Sequence, residues 1–282
     1  MERSIGIHLS YWQTKWSDDL RPLILKAHHA GFDVAEFPLL FPNNLDCKSL
    51  RRELDRVGMS ASCSTGLAAG TDVTSPDSQE RQAGMAHLRA CLAVASQLKS
   101  PVLVGVTYAA WGLFPRESRS ERYKQLICSL KESTRMAEDQ GIILCMEVIN
   151  RFEGYLINTV DQGLAVIEDV GNSNLKLHLD TFHMNIEEDN IGDAIIRAGS
   201  ALGHFHCSEN NRKIPGEGHI PWSDVRKAIN AVNYAGYIVA ETFVNPIGEV
   251  GRGLNIWRPL ADDLDESARK AAVFLKSEFS RV

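Results

Sequence analysis

The sequence has no long apolar run, no closely spaced pair of cysteines and no block of basic residues. Its longest apolar stretches, such as residues 142–146, are far shorter than the roughly 20 residues that a membrane-spanning helix needs. The chain begins with a strand-like segment at 5–9, so we expect no signal peptide. A net charge of −6 argues against a nucleic-acid-binding surface. We therefore expect neither a membrane partner nor a nucleic-acid partner.

The six cysteines are scattered along 282 residues and none belongs to a Cys-x-x-Cys pair. In a chain of this length, that spacing favours reduced core residues over a disulfide framework, and a cytoplasmic location is expected. The composition, 44% hydrophobic and 23% charged, is that of a globular protein with a sizeable core. No linker, low-complexity tract or charge block divides the chain, which favours a single domain over residues 1–282.

Strand-like and helical segments alternate along the whole sequence. Strands are predicted at 4–10, 33–38, 59–65, 102–107, 142–149, 175–180, 204–208 and 237–243. Helices are predicted at 19–30, 48–57, 79–98, 123–139, 160–170, 191–202, 222–232 and 265–280, several of them ending at a glycine (Gly31, Gly58, Gly141, Gly236). Eight such units predict an α/β fold, a (β/α)8 TIM barrel.

An open, doubly wound sheet would use the same local pattern. It would usually have fewer units and a glycine-rich first turn, and neither Gly-x-Gly-x-x-Gly nor a P-loop follows the first strand. The longest non-periodic segments, 66–77, 108–118, 208–221 and 244–260, all follow strands. In a barrel they would gather at the C-terminal face, where the chemistry takes place.

Four consecutive strands in the second half of the chain end in a polar residue after an apolar run. These residues are Glu147, Asp180, His206 and Glu241. Because successive strands of a barrel are neighbours, the four side chains are expected to converge. Three carboxylates and one imidazole suit Mn²⁺, Co²⁺ or Mg²⁺ better than an ion that prefers thiolates. The carboxylates would also repel one another without a cation between them.

Each of these residues has an ordinary explanation when it is taken alone. A carboxylate at a strand end is usually a helix cap or an ion-pair partner. A histidine such as His206 is more often a hydrogen-bonded core residue, and His204, on the same face of the strand, is its natural partner. Glu36 also ends a strand, but the sequence offers it no obvious partner. The joint pattern over four strands is what favours a metal site.

The loops after these strands supply further polar and aromatic residues. Glu153, His183 and Arg212 are of types that hydrogen-bond sugar hydroxyls, although ordinary loop charge is the simpler explanation. The tryptophans of the strand-following loops can wall a sugar pocket or pack the rim of the barrel. The sequence does not separate these two roles for Trp12, Trp16, Trp111 and Trp257.

Several longer motifs together resemble the ketose 3-epimerase family, the D-tagatose and D-psicose (allulose) 3-epimerases. They are Glu-Val-Ile-Asn-Arg-Phe-Glu at 147–153, Leu-Asp-Thr-Phe-His-Met-Asn-Ile-Glu-Glu at 179–188, Gly-His-Phe-His at 203–206 with Asn-Arg at 211–212 and Pro-Gly-Glu-Gly at 215–218, and Gly-Glu-Val-Gly at 248–251 with Ile-Trp-Arg at 256–258. With the segments at 5–12 and 109–111, the resemblance covers essentially the whole chain. It implies a xylose isomerase-like barrel.

The resemblance also implies roles for single residues. It implies one divalent ion per subunit, with Mn²⁺ expected first, held by Glu147, Asp180, His206 and Glu241. It implies substrate contacts from Glu153, His183 and Arg212, with His8 and Trp111 beside the sugar, and a homodimer or homotetramer. His8 departs from the family, in which Phe or Tyr is common, and Ser64, Thr65 and Asn210 depart as well, so the preferred ketose stays open.

The implied reaction is inversion of a free ketose at C3, with Glu147 and Glu241 as the acid and base that exchange a proton through an enediolate. Three alternatives remain. One keeps the barrel and metal but changes the reaction, to an aldose–ketose or hydroxypyruvate-type isomerase or an inosose dehydratase. Another is a sugar-binding protein without turnover. The last is a phosphodiesterase of the endonuclease IV type, which would require more histidines at the strand ends and a basic surface.

Overall fold

Eight parallel strands form a closed barrel in the computed structural model, which describes residues 3–115 and 119–279. Each strand pairs with the next, and the first closes the barrel by pairing with the last. The strands are β1 (Ile5–His8), β2 (Val34–Pro38), β3 (Ser60–Leu67), β4 (Val102–Ala110), β5 (Ile143–Glu147), β6 (Leu175–Asp180), β7 (Leu202–Cys207) and β8 (Ile238–Ala240). The predicted (β/α)8 TIM barrel is confirmed.

Helices surround the barrel and connect its strands. They are α1 (Arg21–Ala30), α2 (Cys47–Val57), α3 (Ser78–Leu98), α4 (Arg119–Glu138), α5 (Val160–Val170), α6 (Thr181–Glu187), α7 (Ile191–Ala198), α8 (Trp222–Ala231), α9 (Gly248–Gly253) and α10 (Leu264–Phe279). Within the described residues, none of them combines the length and the apolar character that crossing a bilayer requires.

The alternation of side chains along β6 explains how the barrel separates its core from its site. Leu177 faces the outer helices, because a Cβ on Gly163 of α5 would lie only 2.7 Å from its Cδ2 atom. Side chains of a strand point to opposite faces in turn, so His178 and Asp180 face the barrel interior. Apolar residues therefore fill the space between strands and helices, while polar residues line the inside near the carboxyl ends of the strands.

The eight strands and the long helices lie where they were predicted, but several boundaries differ and two short helices were missed. The predicted helix at 191–202 ends at Ala198, because Leu202 and Gly203 already belong to β7. Two short helices, α6 and α9, lie in segments that were expected to be loops or non-periodic. The left-handed turns occur at Gly31, Gly58 and Gly141 as predicted, but after α8 it is Asn233, not Gly236, that takes a positive φ. Parts of the predicted 108–118 loop and 265–280 helix, at 116–118 and 280, fall outside the described residues.

Candidate active site and metal centre

Four strand ends bring the predicted ligand residues together. Glu147 and Asp180 are the last residues of β5 and β6, His206 is the fifth residue of β7, and Glu241 directly follows β8. Each offers one ligand atom, and these atoms all lie within 4.8 Å of one another. Asp180 and His206 are fully buried and Glu147 is nearly so. The structure thus brings together the four side chains predicted as metal ligands, which we call the ligand group.

The surroundings of these four residues fit a divalent cation. The Nδ1 atom of His206 is buried, lies 3.5 Å from Glu241 Oε1 and makes no hydrogen bond. The Nη1 atom of Arg212 donates to Asp180 Oδ2 at 2.9 Å and to Glu241 Oε2 at 3.1 Å. One guanidinium faces three carboxylates, so a further positive charge would be strongly favoured. Carboxylate oxygens and one imidazole are a donor set for a hard or borderline ion.

The two glutamates of the group sit in electrostatically different surroundings. Burial raises the pKa of the Glu147 carboxyl, although His183, 3.4 Å from Glu147 Oε1, works in the opposite direction. Burial is also the largest influence on Glu241, but His206 and Arg212 outweigh it and hold the pKa of that carboxyl well below its usual range. Environments that separate the pKa values of two carboxyls are typical of acid–base pairs.

Glu153, in the loop after β5, and His183, in α6, lie above the ligand group and are fixed by hydrogen bonds. Trp111 Nε1 donates to Glu153 Oε2 at 2.9 Å, and Asn150 Nδ2 donates to Glu153 Oε1 at the same distance. Asn150 also donates from its backbone N–H to Nδ1 of His183 at 3.2 Å. The Nε2 atom of His183 is therefore left to face Glu147. Asn150 lies inside the 147–153 motif, but no role was predicted for it.

Arg212 is held between two aromatic rings. Its guanidinium carbon lies 3.8 Å from the ring centre of Phe182 and 5.1 Å from that of Phe243. Arg212 also has a positive φ of 64°, a conformation that non-glycine residues adopt rarely and that is common at functional sites. Stacking on both rings fixes a planar cation where it can contact the oxygens of a bound ligand.

A cavity of about 280 Å³ opens above the ligand group. This volume is near the lower end of the range of ligand pockets, about 300–1,000 Å³, and suits a small molecule. Of the nine residues predicted for the site, eight line the cavity, and Asp180 lies beneath it. The eight are His8, Trp111, Glu147, Glu153, His183, His206, Arg212 and Glu241.

His8 forms a polar part of the cavity wall. Its Nδ1 atom contacts Ser10 Oγ, and its Nε2 atom lies 2.8 Å from Ser64 Oγ. Burial lowers the pKa of His8, which favours the neutral imidazole. The other tryptophans differ in their positions. Trp16 lines the same cavity, Trp12 is buried in the core, and Trp257 is exposed beside a neighbouring depression.

Glu36 is the partner of His206 that the sequence did not reveal. Its carboxylate is fully buried in the barrel, where Oε1 lies 2.6 Å from His206 Nε2 and Oε2 lies 2.8 Å from His204 Nε2. Ser62, which is in register with Glu36 on the adjacent strand, donates its hydroxyl to Oε2 at 2.7 Å. Only the closed barrel brings residues 36 and 206 together, so no local sequence signal could have paired them.

Comparison with known proteins identifies the family to which this chain belongs. The sequence matches the family of xylose isomerase-like TIM barrels over residues 24–276. It is 35% identical to the D-psicose 3-epimerase of Agrobacterium fabrum, over 95% of this chain and 96% of that protein. It is 34% identical to the L-ribulose 3-epimerase of a Methylomonas species, over 97% of each chain. The chain belongs to the ketose 3-epimerase family.

Solved structures agree with this assignment. A D-psicose 3-epimerase crystallised in the presence of D-fructose superposes with a TM-score of 0.94 at 35% identity, covering 98% of this chain and 99% of the other. A Methylomonas D-allulose 3-epimerase in complex with D-allulose gives 0.93 at 34% identity, covering 99% and 98%. The protein is therefore an enzyme of the isomerase class, an epimerase, with the fold of these sugar-binding relatives.

Proposed function

We propose that this epimerase inverts free ketoses at C3 with the help of a divalent metal ion. Candidate pairs are D-fructose and D-psicose, D-tagatose and D-sorbose, and the ketopentoses. The observation that carries the proposal is that Glu147 and Glu241, from β5 and β8, both line one small cavity and both offer an oxygen to the same ligand group. Relatives named for D-psicose, D-allulose and L-ribulose support this substrate class.

The ion would be held by Glu147, Asp180, His206 and Glu241. We propose Mn²⁺ first, with Co²⁺ and Mg²⁺ as alternatives, because three carboxylates and one imidazole suit all of them. When bound, a divalent ion supplies a Lewis acid that polarises the ketose carbonyl and stabilises the negative charge formed as the C3 proton leaves. No redox cofactor is needed for this chemistry.

Inversion at C3 requires proton removal from one face of the sugar and proton return from the other. One of the two glutamates takes the C3 proton, and the other delivers a proton to the opposite face. Their roles exchange when the reaction runs in reverse. Their different surroundings support such a division of roles, since Glu147 faces His183 whereas Glu241 faces His206 and Arg212.

Three further residues would orient the substrate. His183 and Arg212, which meet at 3.5 Å between Nε2 and Nη2, would hold the O2 side of the sugar. They would keep the deprotonated ketose from taking its proton back at the wrong carbon. Glu153, fixed by Trp111 and Asn150, would accept a hydrogen bond from O1 or a neighbouring hydroxyl. His8 and Trp111 would contact the sugar from the cavity wall.

A panel of ketohexoses and ketopentoses in D₂O with added Mn²⁺ tests the proposal. We expect C3 epimers as products, with deuterium at C3. The alternative activity within this barrel family is a 1,2-isomerase, such as an aldose–ketose or hydroxypyruvate-type isomerase, or an inosose dehydratase. Aldose products labelled at C1 or C2, or a dehydrated product, would replace the proposed reaction with one of these.

We also propose that the enzyme works in the cytoplasm as a homodimer or homotetramer. Phe152 and Trp257 are 73% and 74% exposed, and both line one surface depression. Large exposed apolar side chains that lie together are typical of a protein–protein interface. Light scattering on the purified enzyme tests the assembly, and a monomeric mass at micromolar concentration would exclude it.

A further inference from the structure

The carboxylate of Glu36 lies directly beneath the ligand group. It is fully buried and receives three polar contacts, from His206, His204 and Ser62, at 2.6 to 2.8 Å. Among the described residues, no lysine or arginine forms an ion pair with it. A charged group buried without such a partner is costly for the fold. This cost suggests that Glu36 has a purpose other than stability.

We infer that Glu36 is a positioning residue that prepares His206 to bind the metal ion, an inference that rests on the proposed metal site. In a neutral imidazole one nitrogen carries the proton and the other is an acceptor. Because Nε2 of His206 lies 2.6 Å from a carboxylate oxygen, the proton belongs on Nε2. The lone pair of Nδ1 is then free, and Nδ1 is the buried nitrogen that faces Glu241 without a hydrogen bond.

The shared carboxylate also fixes the direction of the ring. Oε1 is hydrogen-bonded to His206, Oε2 lies 2.8 Å from His204 Nε2, and the two rings cross at 72° with their centres 5.0 Å apart. The His204 ring occupies the space next to Oε2. Ser62, from the neighbouring strand, holds the oxygen that His204 contacts. The bond from Oε1 to His206 is separate from these contacts and connects β2 with β7 inside the barrel.

A second metal ion is the competing explanation for this group. Nitrogens of His178, His204 and His206 lie within 4.8 Å of one another, and both ring nitrogens of His178 lack a hydrogen bond. Two ligand atoms on a tetrahedral ion, each about 2.1 Å from it, lie roughly 3.4 Å apart. The distance of 2.6 Å between Glu36 and His206 is much shorter and fits a shared proton.

Glu36→Gln tests the inference with little change in shape. The amide can accept a hydrogen bond at one end only, and its NH₂ group forces one histidine to carry its proton on Nδ1. We expect the dissociation constant for Mn²⁺, measured by titration calorimetry, to rise about 10- to 100-fold. We also expect the visible spectrum of the Co²⁺-loaded enzyme to change. Excess Mn²⁺ should restore most of kcat, because the proton-transfer glutamates are unchanged.

Ser62→Ala is the matched control. It removes another hydrogen bond from the same carboxylate but leaves the contact with His206 in place. We expect its Mn²⁺ dissociation constant to stay within about threefold of the wild-type value. A Glu36→Gln variant that melts at a lower temperature but binds Mn²⁺ as the wild type does would show a purely structural residue and overturn the inference. Two ions per wild-type chain, with one lost on His178→Ala, would overturn it in favour of the second metal.

If Glu36→Gln fails to fold, the tautomer of His206 can still be measured in the wild-type enzyme. Two-bond ¹H–¹⁵N spectra of the histidine rings in the Mg²⁺-loaded protein report which nitrogen carries the proton. We expect one ring with its proton on Nε2 and a metal-shifted Nδ1, and the opposite tautomer would refute the inference. If wild-type enzyme binds no divalent ion at all, the proposed metal site fails first, so the two failures are distinguishable.

Discussion

Glu147 is buried beside His183, whereas Glu241 contacts His206 and Arg212, so the two carboxyls have different electrostatic surroundings. Both residues were predicted from the sequence because each is a polar residue at the end of an apolar strand. Asn150 and Glu36 were not, because their roles depend on contacts with His183 and His206, which lie 33 and 170 positions away. The sequence therefore predicted which residues carry the chemistry, but the contacts between distant residues could be identified only in the folded structure.

The two glutamates should be indispensable for turnover. Glu147→Gln and Glu241→Gln each replace a proton carrier with an amide that neither accepts the C3 proton nor binds a cation as well. Because acid–base groups typically contribute about 10²–10⁴ to the rate, we expect a loss of about 1,000-fold or more in kcat, measured as C3 epimer formed with Mn²⁺ in excess.

The control for this experiment is Glu132→Gln, which makes the same chemical change at an exposed position of α4. Its kcat should match that of the wild type. Retention of more than about a tenth of the wild-type rate by either Glu147→Gln or Glu241→Gln would remove that residue from the proposed proton transfer.

His8 should influence which ketose is preferred and leave the chemistry itself intact. It presents a neutral imidazole to the cavity, next to Ser64, and His8→Phe would replace this polar surface with an apolar one. We expect the ratios of kcat/KM among ketohexoses and ketopentoses to change more than threefold, with the best substrate still turned over. His29→Phe, exposed on α1, is the control, and an unaltered substrate profile in His8→Phe would exclude His8 from sugar contact.

At the scale of elements, Asp180 connects the site to local structure. It ends β6, and its Oδ1 atom caps α6 by accepting from Phe182 N–H at 2.9 Å, while Oδ2 faces Arg212. The sequence predicted β6 from its alternating leucines but missed α6, because seven residues are too few to show a helical period. Long helices such as α3 were predicted because they contain enough residues to show a helical period. Asp180 can be recognised as the N-cap residue of α6 only once the end of β6 is known.

The double role of Asp180 can be separated by two substitutions. Asparagine caps helices about as well as aspartate, whereas alanine does not, and both remove the charge. We expect Asp180→Asn and Asp180→Ala to weaken Mn²⁺ binding alike. In EDTA, however, Asp180→Ala should be less stable than Asp180→Asn by about 1 kcal/mol in urea denaturation. Equal stability of the two variants would mean that the cap of α6 contributes nothing to the fold.

At the scale of the whole molecule, closure of the barrel sets the charge balance of the site. Only when β8 pairs with β1 do the second-half ligands come close to Glu36 and His8 from the first half. The number of strand–helix units predicted this closure. The interior then holds Glu147, Asp180 and Glu241 near the guanidinium of Arg212, and the carboxylate of Glu36 lies against His206. The folded state should therefore gain stability from a divalent ion that the unfolded chain cannot bind as well.

Mn²⁺ should therefore raise the melting temperature of the wild-type enzyme. At a free concentration 100 times the dissociation constant, one bound ion adds about 2.7 kcal/mol to the free energy of unfolding. For a domain of this size, that corresponds to a shift of about 5 °C or more between EDTA and Mn²⁺ in a thermal scan. Asp180→Asn should lose most of the shift, and Glu132→Gln should keep it. If EDTA and Mn²⁺ give the same melting temperature for the wild type, or if Asp180→Asn shifts as far as the wild type, the ion does not bind between these four strand ends.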